Sequence, residues 1–361
     1  MWAIRQTDRK DHWPLIRDAR DYALLNGLVL RYDSMCNDNC VAHIPFTLFP
    51  SPYPKKLYQE CLDIQPIVNK LMLKIASDTH FINETLEPIV KVDEFTRNLL
   101  SIHETVRREG LAQSTICCIN RADYMLDQGL NSIEGNIQNN SLDLVVGGLI
   151  DAFDAYGKPA TYILLVAEKR SMNFSDQVLI ERELHKSRPD IKFVRRSFHA
   201  LNDNLKLGPN KELFLDDNKE IALVYFRYCY DPSHYSFNES WNVRLLLERS
   251  KAIKCPSINF HLSGAKKFQQ VLNTSKQLER YLEPAEALRL SRVFCKFWSF
   301  DSNNSMENEG YRMAMSEVDS LVLKPQREGG GHNIFGKDIK PFVEEMITTN
   351  EKISIHTHGV Y

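Results

Sequence analysis

The chain has almost no excess of charge of either sign, and it lacks long apolar runs. Its formal net charge is -2 over 361 residues, which gives no electrostatic reason to expect nucleic acid or an anionic membrane as a partner. The longest apolar run, Leu144–Phe153, contains Asp151 and is too short to span a bilayer. The first residues, MWAIRQTDRKDHW, carry charges where a signal peptide needs its apolar region. We therefore expect a cytoplasmic protein that binds neither nucleic acid nor membrane.

The chain also lacks the CxxC spacing that marks zinc sites and thioredoxin-like motifs. Of its eight cysteines, Cys36 and Cys40 are four residues apart, Cys117 and Cys118 are adjacent, and the others are scattered. This spacing disfavours a zinc site and fits a reducing, cytoplasmic compartment.

The residues that are present indicate a globular protein with a core, because 43% are apolar and 25% are charged. Apolar residues from Leu57 to Ile75, and again from Val92 to Val106, follow the three- and four-residue spacing of a helix face. The stretch from Pro45 to Pro54 predicts a loop, since its prolines can continue neither a helix nor a central strand. The first third is therefore expected to be helical.

The middle of the chain alternates between strand and helix patterns. Its predicted strands are Tyr162–Ala167, Ile191–Val194 and Ile221–Phe226, and its predicted helices are Asp176–Lys186, with Ser175 as N-cap, and Trp241–Lys254. The apolar run of the first strand is typical of a strand buried on both faces. Such alternation indicates βαβ units, so we predict an α/β (α+β) fold with a mostly parallel sheet.

A second α/β stretch follows. It predicts a helix over Lys266–Leu272, a strand over Leu321–Lys324, a glycine-rich loop and a helix near Asp338–Met346. We assign no element to the polar tail ISIHTHGVY, and we do not expect its histidines, which are two residues apart, to hold a metal.

The most distinctive motif is VLKPQREGGGHN, Val322–Asn333. Its three consecutive glycines let the backbone take positive φ and approach a ligand closely, and their amides can converge on phosphate oxygens. Lys324 supplies a compact positive charge for phosphate, and Glu328 an oxygen ligand suited to Mg²⁺. No GK[ST] follows, so this is not a Walker loop. A flexible surface loop is the alternative, which the neighbouring Lys and Glu disfavour.

The loop KPQREGGGHN resembles the glycine-rich ATP-covering loop of eukaryotic-type glutathione synthetases, where KPQREGGGNN is usual. Other segments resemble the same family, in family order, from near the start to about Gly336. They are SPYP at Ser51–Pro54, INRADYM at Ile119–Met125, VYFR at Val224–Arg227, LLLERSKAIKCPSI at Leu245–Ile258 and SGAKKFQQVL at Ser263–Leu272. The resemblance implies an ATP-grasp fold and the ATP-dependent ligation of γ-glutamylcysteine to glycine through an acyl phosphate.

The resemblance also implies which residues bind substrate. Arg121 matches a catalytic arginine that holds a substrate carboxylate and assists phosphoryl transfer, a role suited to a bidentate, permanently charged side chain. An ordinary surface arginine is the alternative. The residues that match contacts to γ-glutamylcysteine are Arg121, Asn173, Gln177, Arg227 and Tyr230.

Further residues match the family's nucleotide and metal contacts. Those implied for ATP are Glu134, Lys266, Lys324, Glu328, Gly329, Gly330, Gly331, Asn333 and Phe335, and those implied for Mg²⁺ are Glu134, Asn136 and Glu328. The cofactor implied is therefore Mg²⁺, with ATP as co-substrate.

Several positions depart from the family pattern. Ser171 replaces an acidic substrate contact, Tyr228 and Cys229 replace small residues within the Arg-x-x-Tyr turn, and His332 and Phe335 replace an asparagine and a tyrosine. The turn is therefore expected to be altered.

Two longer segments depart as well. The substrate loop expected shortly after Glu134 is absent, because Asn139 begins sequence that resembles a family segment tens of residues further on. After Glu345 the chain no longer resembles the strands and loop that close the family's nucleotide and glycine sites. We therefore expect an incomplete nucleotide-clamping part and impaired activity.

The resemblance divides the chain into three parts. Residues 1–150 form a helical N-terminal region with part of the ATP-grasp region, 151–257 an α/β substrate domain, and 258–361 an incomplete ATP-grasp region. It implies ATP, γ-glutamylcysteine and glycine as ligands and a homodimer as the assembly. Two alternatives remain: a non-catalytic truncated isoform or partner subunit that dimerises with a complete synthetase, and a related ligase with a different acceptor amine.

Overall fold

The computed structural model describes residues 12–31, 40–49, 53–124, 140–299, 309–325, 333–349 and 355–359. The chain begins with helix α1 (Trp13–Leu25) and an antiparallel hairpin of β1 (Val29–Arg31) and β2 (Val41–His43). Arg31 N–H donates to the Met172 carbonyl at 3.1 Å, and Ser175 Oγ donates to the Val29 carbonyl at 2.8 Å. The hairpin is thus attached to the segment that carries Asn173 and Gln177.

A helical body follows. It contains α2 (Lys55–Ser77), α3 (Thr79–Val90), α4 (Glu94–Glu109), α8 (Ile258–Ser263), α9 (Lys266–Val271), α10 (Ser275–Leu278) and α11 (Pro284–Ser291), which share one apolar core. Asp78 and Asp93 cap α3 and α4 by accepting from the amides of Phe81 and Thr96. Gly110 ends α4 with φ of 86°, a conformation that glycine adopts without steric cost.

The middle of the chain forms a six-stranded sheet. Its strands are β3 (Tyr162–Ala167), β4 (Lys192–Ser197), β5 (Leu205–Leu207), β6 (Leu213–Leu215), β7 (Lys219–Phe226) and β8 (Ile253–Cys255). β4, β3, β7 and β8 run parallel in that spatial order, whereas β6 pairs antiparallel with the start of β7 and with β5. α5 (Ser141–Tyr156) and α6 (Phe174–Ser187) cover one face, and α7 (Ser240–Arg249) covers the other.

The last described part is a four-stranded antiparallel sheet in the order β11-β10-β12-β9. Its strands are β9 (Phe297–Ser299), β10 (Leu321–Pro325), β11 (Ile334–Phe335) and β12 (Ile355–Gly359), and α12 (Glu309–Ser316) and α13 (Ile339–Thr349) pack against it. The tail, for which no element was predicted, therefore supplies an inner strand: Thr357 lies opposite both Leu323 of β10 and Trp298 of β9.

The mixed α/β fold, the strands Tyr162–Ala167 and Ile221–Phe226 and the helix at Lys266 are confirmed. The helix predicted over Trp241–Lys254 is wrong in its last third, because α7 ends at Arg249 and the chain then forms β8. The N-cap prediction at Ser175 is also wrong: α6 starts at Phe174 after Asn173, and the Ser175 hydroxyl bonds to β1 instead.

Among the described residues, no helix is both long and apolar enough to cross a bilayer.

Candidate functional site

The parallel strands β3, β7 and β8 end at the same edge of the sheet, where ligands of open α/β sheets bind. The segment after β3 carries Ser171, Asn173 and Gln177, and the segment after β7 carries Arg227 and Tyr230. Four of the five residues predicted to contact γ-glutamylcysteine thus follow two neighbouring strands at this edge.

The segment after β3 holds a compact polar network. Ser171 Oγ bonds to Asn173 Oδ1 at 2.7 Å and accepts from Gln177 Nε2 at 3.0 Å. Gln177 is only 2% exposed, and its Oε1 has no hydrogen-bond partner within the described part of the chain. Because buried acceptors are nearly always paired, this oxygen suits an N–H donor of a ligand.

Arg227 connects the two segments. Its guanidinium donates to Tyr225 Oη at 3.2 Å and forms an ion pair with Asp176 in the first turn of α6. Burial raises the pKa of Tyr225, so its hydroxyl stays protonated at neutral pH. The other Asp176 oxygen, Oδ1, is buried and has no partner among the described residues. Asp176 was not among the residues predicted from the sequence, although its place beside Gln177 at the start of a predicted helix was a usable signal.

The turn after β7 has an unusual backbone. Cys229 has φ of 74°, a left-handed conformation that is uncommon for residues other than glycine and costs roughly 1–2 kcal/mol. Its thiol is buried, and burial raises its pKa above the usual range. Arg227 and Tyr230 flank this residue, so its conformation sets their relative direction. The expectation that Tyr228 and Cys229 alter the turn was based on residue size; the strain lies in the backbone.

Aromatic rings support the same turn. The Tyr228 ring stacks on His234 with centroids 3.6 Å apart, and the Tyr230 ring meets His234 edge-on at 4.8 Å. Tyr230 remains 57% exposed, which leaves its side chain accessible to a ligand at the sheet edge.

Arg121 is largely exposed and forms an ion pair with Asp123, Nε to Oδ1, at 3.0 Å. The extended segment that carries it is held at both ends. Gln113 donates to the Lys251 carbonyl at 2.7 Å, and Asn120 donates to Asn69 of α2 at 3.2 Å. Cys117 of this segment belongs to the core that also contains β8. Arg121 therefore lies on a segment that passes from the parallel sheet to the helical body.

Those residues predicted to bind nucleotide that the structure describes lie near the C-terminal antiparallel sheet. Lys266 starts α9, which contacts β9, and Phe335 lies in β11 with 56% of its surface exposed. Asn333 precedes β11 directly, and the backbone of Lys324 belongs to β10. The strand order is β11-β10-β12-β9, so α9, which contacts β9, and Phe335 of β11 lie at opposite edges of one sheet.

The residues predicted to bind Mg²⁺, Glu134, Asn136 and Glu328, lie outside the described ranges, as do Gly329, Gly330 and Gly331. Within those ranges no cluster of three His, Cys, Asp or Glu side chains is placed to hold a metal ion. As a donor set, two carboxylates and one amide oxygen have the hard-oxygen chemistry that Mg²⁺ prefers.

Two family models match the chain. Residues 9–138 match the ATP binding domain of eukaryotic glutathione synthase, and residues 161–263 match eukaryotic glutathione synthase. Among curated proteins, glutathione synthetase of Bos taurus is 33% identical over 98% of this chain and 82% of its own length. The Homo sapiens protein is 32% identical with the same coverage. The large chain of glutathione synthetase from Schizosaccharomyces pombe is 30% identical over 91% of this chain and 79% of its own length.

Among solved structures, a glutathione synthetase-like effector from Globodera pallida, in apo form, matches with a TM-score of 0.70. It is 20% identical, and the match covers 98% of this chain and 82% of that one. At this identity the likeness establishes the fold.

The alignment with the bovine protein runs over 395 residues, which exceeds the 361 residues of this chain. The aligned region therefore includes positions that the relative has and this chain lacks. The place of the gap after Glu134 stays a prediction.

Proposed function

Because this chain belongs to the eukaryotic glutathione synthase family of ATP-dependent ligases, we propose that it joins γ-glutamylcysteine to glycine. ATP phosphorylates the carboxylate of γ-glutamylcysteine, the amine of glycine attacks the acyl phosphate, and phosphate leaves. Charge develops on phosphoryl oxygens and on a tetrahedral carbon, so positioned cations and hydrogen-bond donors supply most of the catalysis.

One observation gives the strongest support for this donor site. Gln177 Oε1 and Asp176 Oδ1 are buried acceptors beside Arg227 at the carboxyl edge of the sheet, and neither has a partner among the described residues. A γ-glutamyl group carries an ammonium and a carboxylate on the same carbon. The ammonium suits the acceptors of Gln177 and Asp176, and the carboxylate suits Arg227 and the Tyr230 hydroxyl. We therefore assign the γ-glutamyl end of the substrate to Asn173, Gln177, Arg227 and Tyr230.

Arg121 is proposed to stabilise the reacting carboxylate and the transferring phosphoryl group. Its guanidinium is always charged and can bind two oxygens at once. Its exposure and its ion pair with Asp123 support this role, since an exposed pair is worth little and is easily exchanged for a substrate anion.

For the nucleotide, we propose contacts from Glu134, Lys266, Lys324, Glu328, Gly329, Gly330, Gly331, Asn333 and Phe335. A Gly330→Val variant tests the loop, because a β-branched side chain resists positive φ and blocks close approach of phosphate. Equilibrium dialysis with Mg-ATP is expected to show weaker binding. Unchanged affinity in a folded variant would remove the loop from the site.

Mg²⁺ would be held by Glu134, Asn136 and Glu328, and it would neutralise the phosphate charge of the nucleotide. The Glu328→Gln variant is expected to bind Mg-ATP more weakly and to need a higher Mg²⁺ concentration for half-maximal binding. The same Mg²⁺ requirement in both proteins would remove Glu328 from the proposed ligand set.

The enzyme assay is coupled ADP release with γ-glutamylcysteine and glycine. We expect ADP release that depends on the donor, and slower turnover than in complete relatives, because lost positioning costs on the order of a hundredfold. An Arg227→Ala variant is expected to lose donor dependence. Replacing glycine by other amines in the same assay distinguishes a ligase with a different acceptor.

We propose a homodimer, supported by the exposed apolar side chains Trp13, Tyr22 and Leu25 on α1, the last of which is 86% exposed. Sedimentation of a Leu25→Glu variant is expected to give monomers. A Leu144→Glu variant changes another exposed leucine, on α5, and is expected to leave the dimer intact. If both variants are monomeric, or if both remain dimeric, the proposal that α1 forms the dimer interface is wrong.

A second candidate function is that of a non-catalytic subunit that pairs with a complete synthetase. It is favoured because the alignment with the bovine protein includes positions that this chain lacks. Co-expression of the two chains tests it. A mixed dimer, together with no donor-dependent ADP release from this chain alone, would favour the partner role over the ligase role.

The cytoplasmic location and the division at residues 150/151 and 257/258 stay predictions. Fluorescence microscopy of a tagged chain tests the location, and limited proteolysis tests the division, with cleavage expected near these two points.

A further inference from the structure

The turn between Arg227 and Tyr230 depends on support from outside itself. Cys229, in its middle, has φ of 74°, which a residue with a Cβ rarely adopts. Its thiol is 1% exposed and packs in the apolar core on the α7 side of the sheet. Packing of the thiol alone does not determine the direction of the neighbouring peptide groups.

Both backbone polar groups of Cys229 are held by side chains of the next segment. The Cys229 N–H donates to His234 Nδ1 at 3.1 Å, and its carbonyl accepts from Tyr235 Oη at 3.1 Å. Since His234 accepts at Nδ1, its ring proton is on Nε2. Burial lowers the pKa of His234, which favours this neutral form.

The Tyr235 hydroxyl is itself fixed. The Tyr235 ring stacks on Trp241 with centroids 3.9 Å apart, and Arg244 Nη1 donates to the hydroxyl at 3.4 Å. Arg244 is 1% exposed and is held by two bonds to Glu248 Oε1, at 2.9 and 3.0 Å. Its guanidinium also lies over the Phe226 ring at the end of β7, 4.4 Å from the ring centroid.

We propose that His234 and Tyr235, the latter anchored by Arg244, are positioning residues that hold Cys229 in its left-handed conformation. They thereby direct Arg227 and Tyr230 toward the γ-glutamyl end of the donor. The inference rests on the proposed function for its substrate. It assigns roles to three residues that do not themselves contact the substrate.

The test removes one oxygen atom. In Tyr235→Phe the ring keeps its packing, and the hydroxyl's bonds to Cys229 and from Arg244 are lost. We expect the KM for γ-glutamylcysteine to rise about fivefold, as for loss of one ordinary hydrogen bond, with the KM for ATP unchanged. Tyr281→Phe is the matched control, because its hydroxyl also bonds within the fold, to Asp78 at 2.8 Å in the helical body. It is expected to leave both KM values unchanged.

A second substitution separates positioning from a general loss of stability. Glycine adopts positive φ without steric cost. In a Cys229→Gly variant the turn therefore depends less on the hydrogen bonds to His234 and Tyr235. In that background Tyr235→Phe is expected to raise the donor KM by less than about twofold. An equal effect in both backgrounds, or no difference between Tyr235→Phe and Tyr281→Phe, would overturn the inference.

Hydrogen exchange of the free protein distinguishes this inference from the proposed function. Peptides spanning 227–236 are expected to exchange faster in Tyr235→Phe than in the wild type, and peptides from β3 to exchange equally in both. If exchange changes in this way but the wild-type chain shows no donor dependence, the proposed function fails and the support of the turn stands. Unchanged exchange in 227–236 would overturn the support itself.

Discussion

At the residue scale, the ion pair between Asp176 and Arg227 links the two segments of the candidate donor site. Asp176 lies directly before Gln177 in the first turn of α6, and Arg227 follows β7. Within this pair, Arg227 is the group that can bind a substrate carboxylate. The orientation of its guanidinium depends on its bonds to Asp176 and Tyr225. The pair therefore orients Arg227.

An Asp176→Asn variant is expected to lower kcat/KM for γ-glutamylcysteine by about tenfold, the size expected for a weakened charge-assisted bond. Asp154→Asn is the control, because Asp154 pairs with Arg188 at the opposite edge of the sheet, Oδ2 to Nη1, at 2.9 Å. Steady-state kinetics are expected to show an unchanged control. A tenfold loss in both variants would mean that the effect is not local.

The sequence indicated which residues lie at this edge but not what holds them. Asn173, Gln177, Arg227 and Tyr230 follow two predicted strands, and parallel strands bring such segments together. The sequence places Asp176 beside Gln177 but does not show its partner, because the ion pair with Arg227 spans 51 positions. The bond from Tyr235 to the Cys229 carbonyl spans six positions and depends on the left-handed turn, which no residue pattern indicated. Ser175 shows the same limit: its N-cap pattern was local, whereas its bond to β1 spans 146 positions.

At the scale of elements, long apolar runs were predictable and short strands were not. β3 is apolar throughout, β7 is apolar from Ile221 to Phe226, and both of these runs are buried on both faces. β8 and β12 have three and five residues, and their conformation is set by the neighbours with which they pair. The helical pattern after Trp241 continued into β8 because its apolar spacing suits either element.

The position of β12 between β10 and β9 can be tested by substitution. A Thr357→Pro variant removes an N–H from a strand that pairs on both sides, and proline is not tolerated inside a sheet. We expect the C-terminal sheet to open, with faster proteolysis between residues 292 and 325 and weaker Mg-ATP binding. Thr357→Val keeps the strand preference and serves as the control. Equal protease resistance in both variants would contradict the pairing.

The buried histidines of two helices give a pH dependence. Burial lowers the pKa of His103 on α4 to about 4 and that of His261 on α8 to about 3. The unfolded chain protonates both below about pH 6.5, whereas the folded chain keeps them neutral until lower pH. The free energy of unfolding should therefore fall as pH decreases from about 6.5 to 4.

A His103→Leu variant removes one of these groups. Its free energy of unfolding should depend less steeply on pH than that of the wild type, by about 1.4 kcal/mol per pH unit between roughly pH 6 and pH 4.5. Urea unfolding at several pH values measures this slope. Leu99→Val, at another buried position of α4, changes no titratable group and is expected to keep the wild-type slope. Equal slopes for His103→Leu and the wild type would contradict the role of buried His103.

At the scale of the whole molecule, the donor side and the nucleotide side belong to different sheets. The residues proposed to bind the donor lie at the parallel sheet, and the described residues proposed to bind nucleotide lie near the antiparallel one. The segment that carries Arg121 runs from the parallel sheet to α2, and the helical body carries α9 with Lys266. Ligation needs both sides together, so its rate reports on the assembled site and not on either sheet alone.

The central claim is that this chain uses ATP to activate the carboxylate of γ-glutamylcysteine. The most direct measurement is ADP release by the purified, folded chain with ATP and Mg²⁺, with and without γ-glutamylcysteine and glycine. We predict ADP release that requires γ-glutamylcysteine, is slower than in complete relatives and disappears in Arg227→Ala. ADP release that is absent, or that is the same with and without γ-glutamylcysteine, would contradict it.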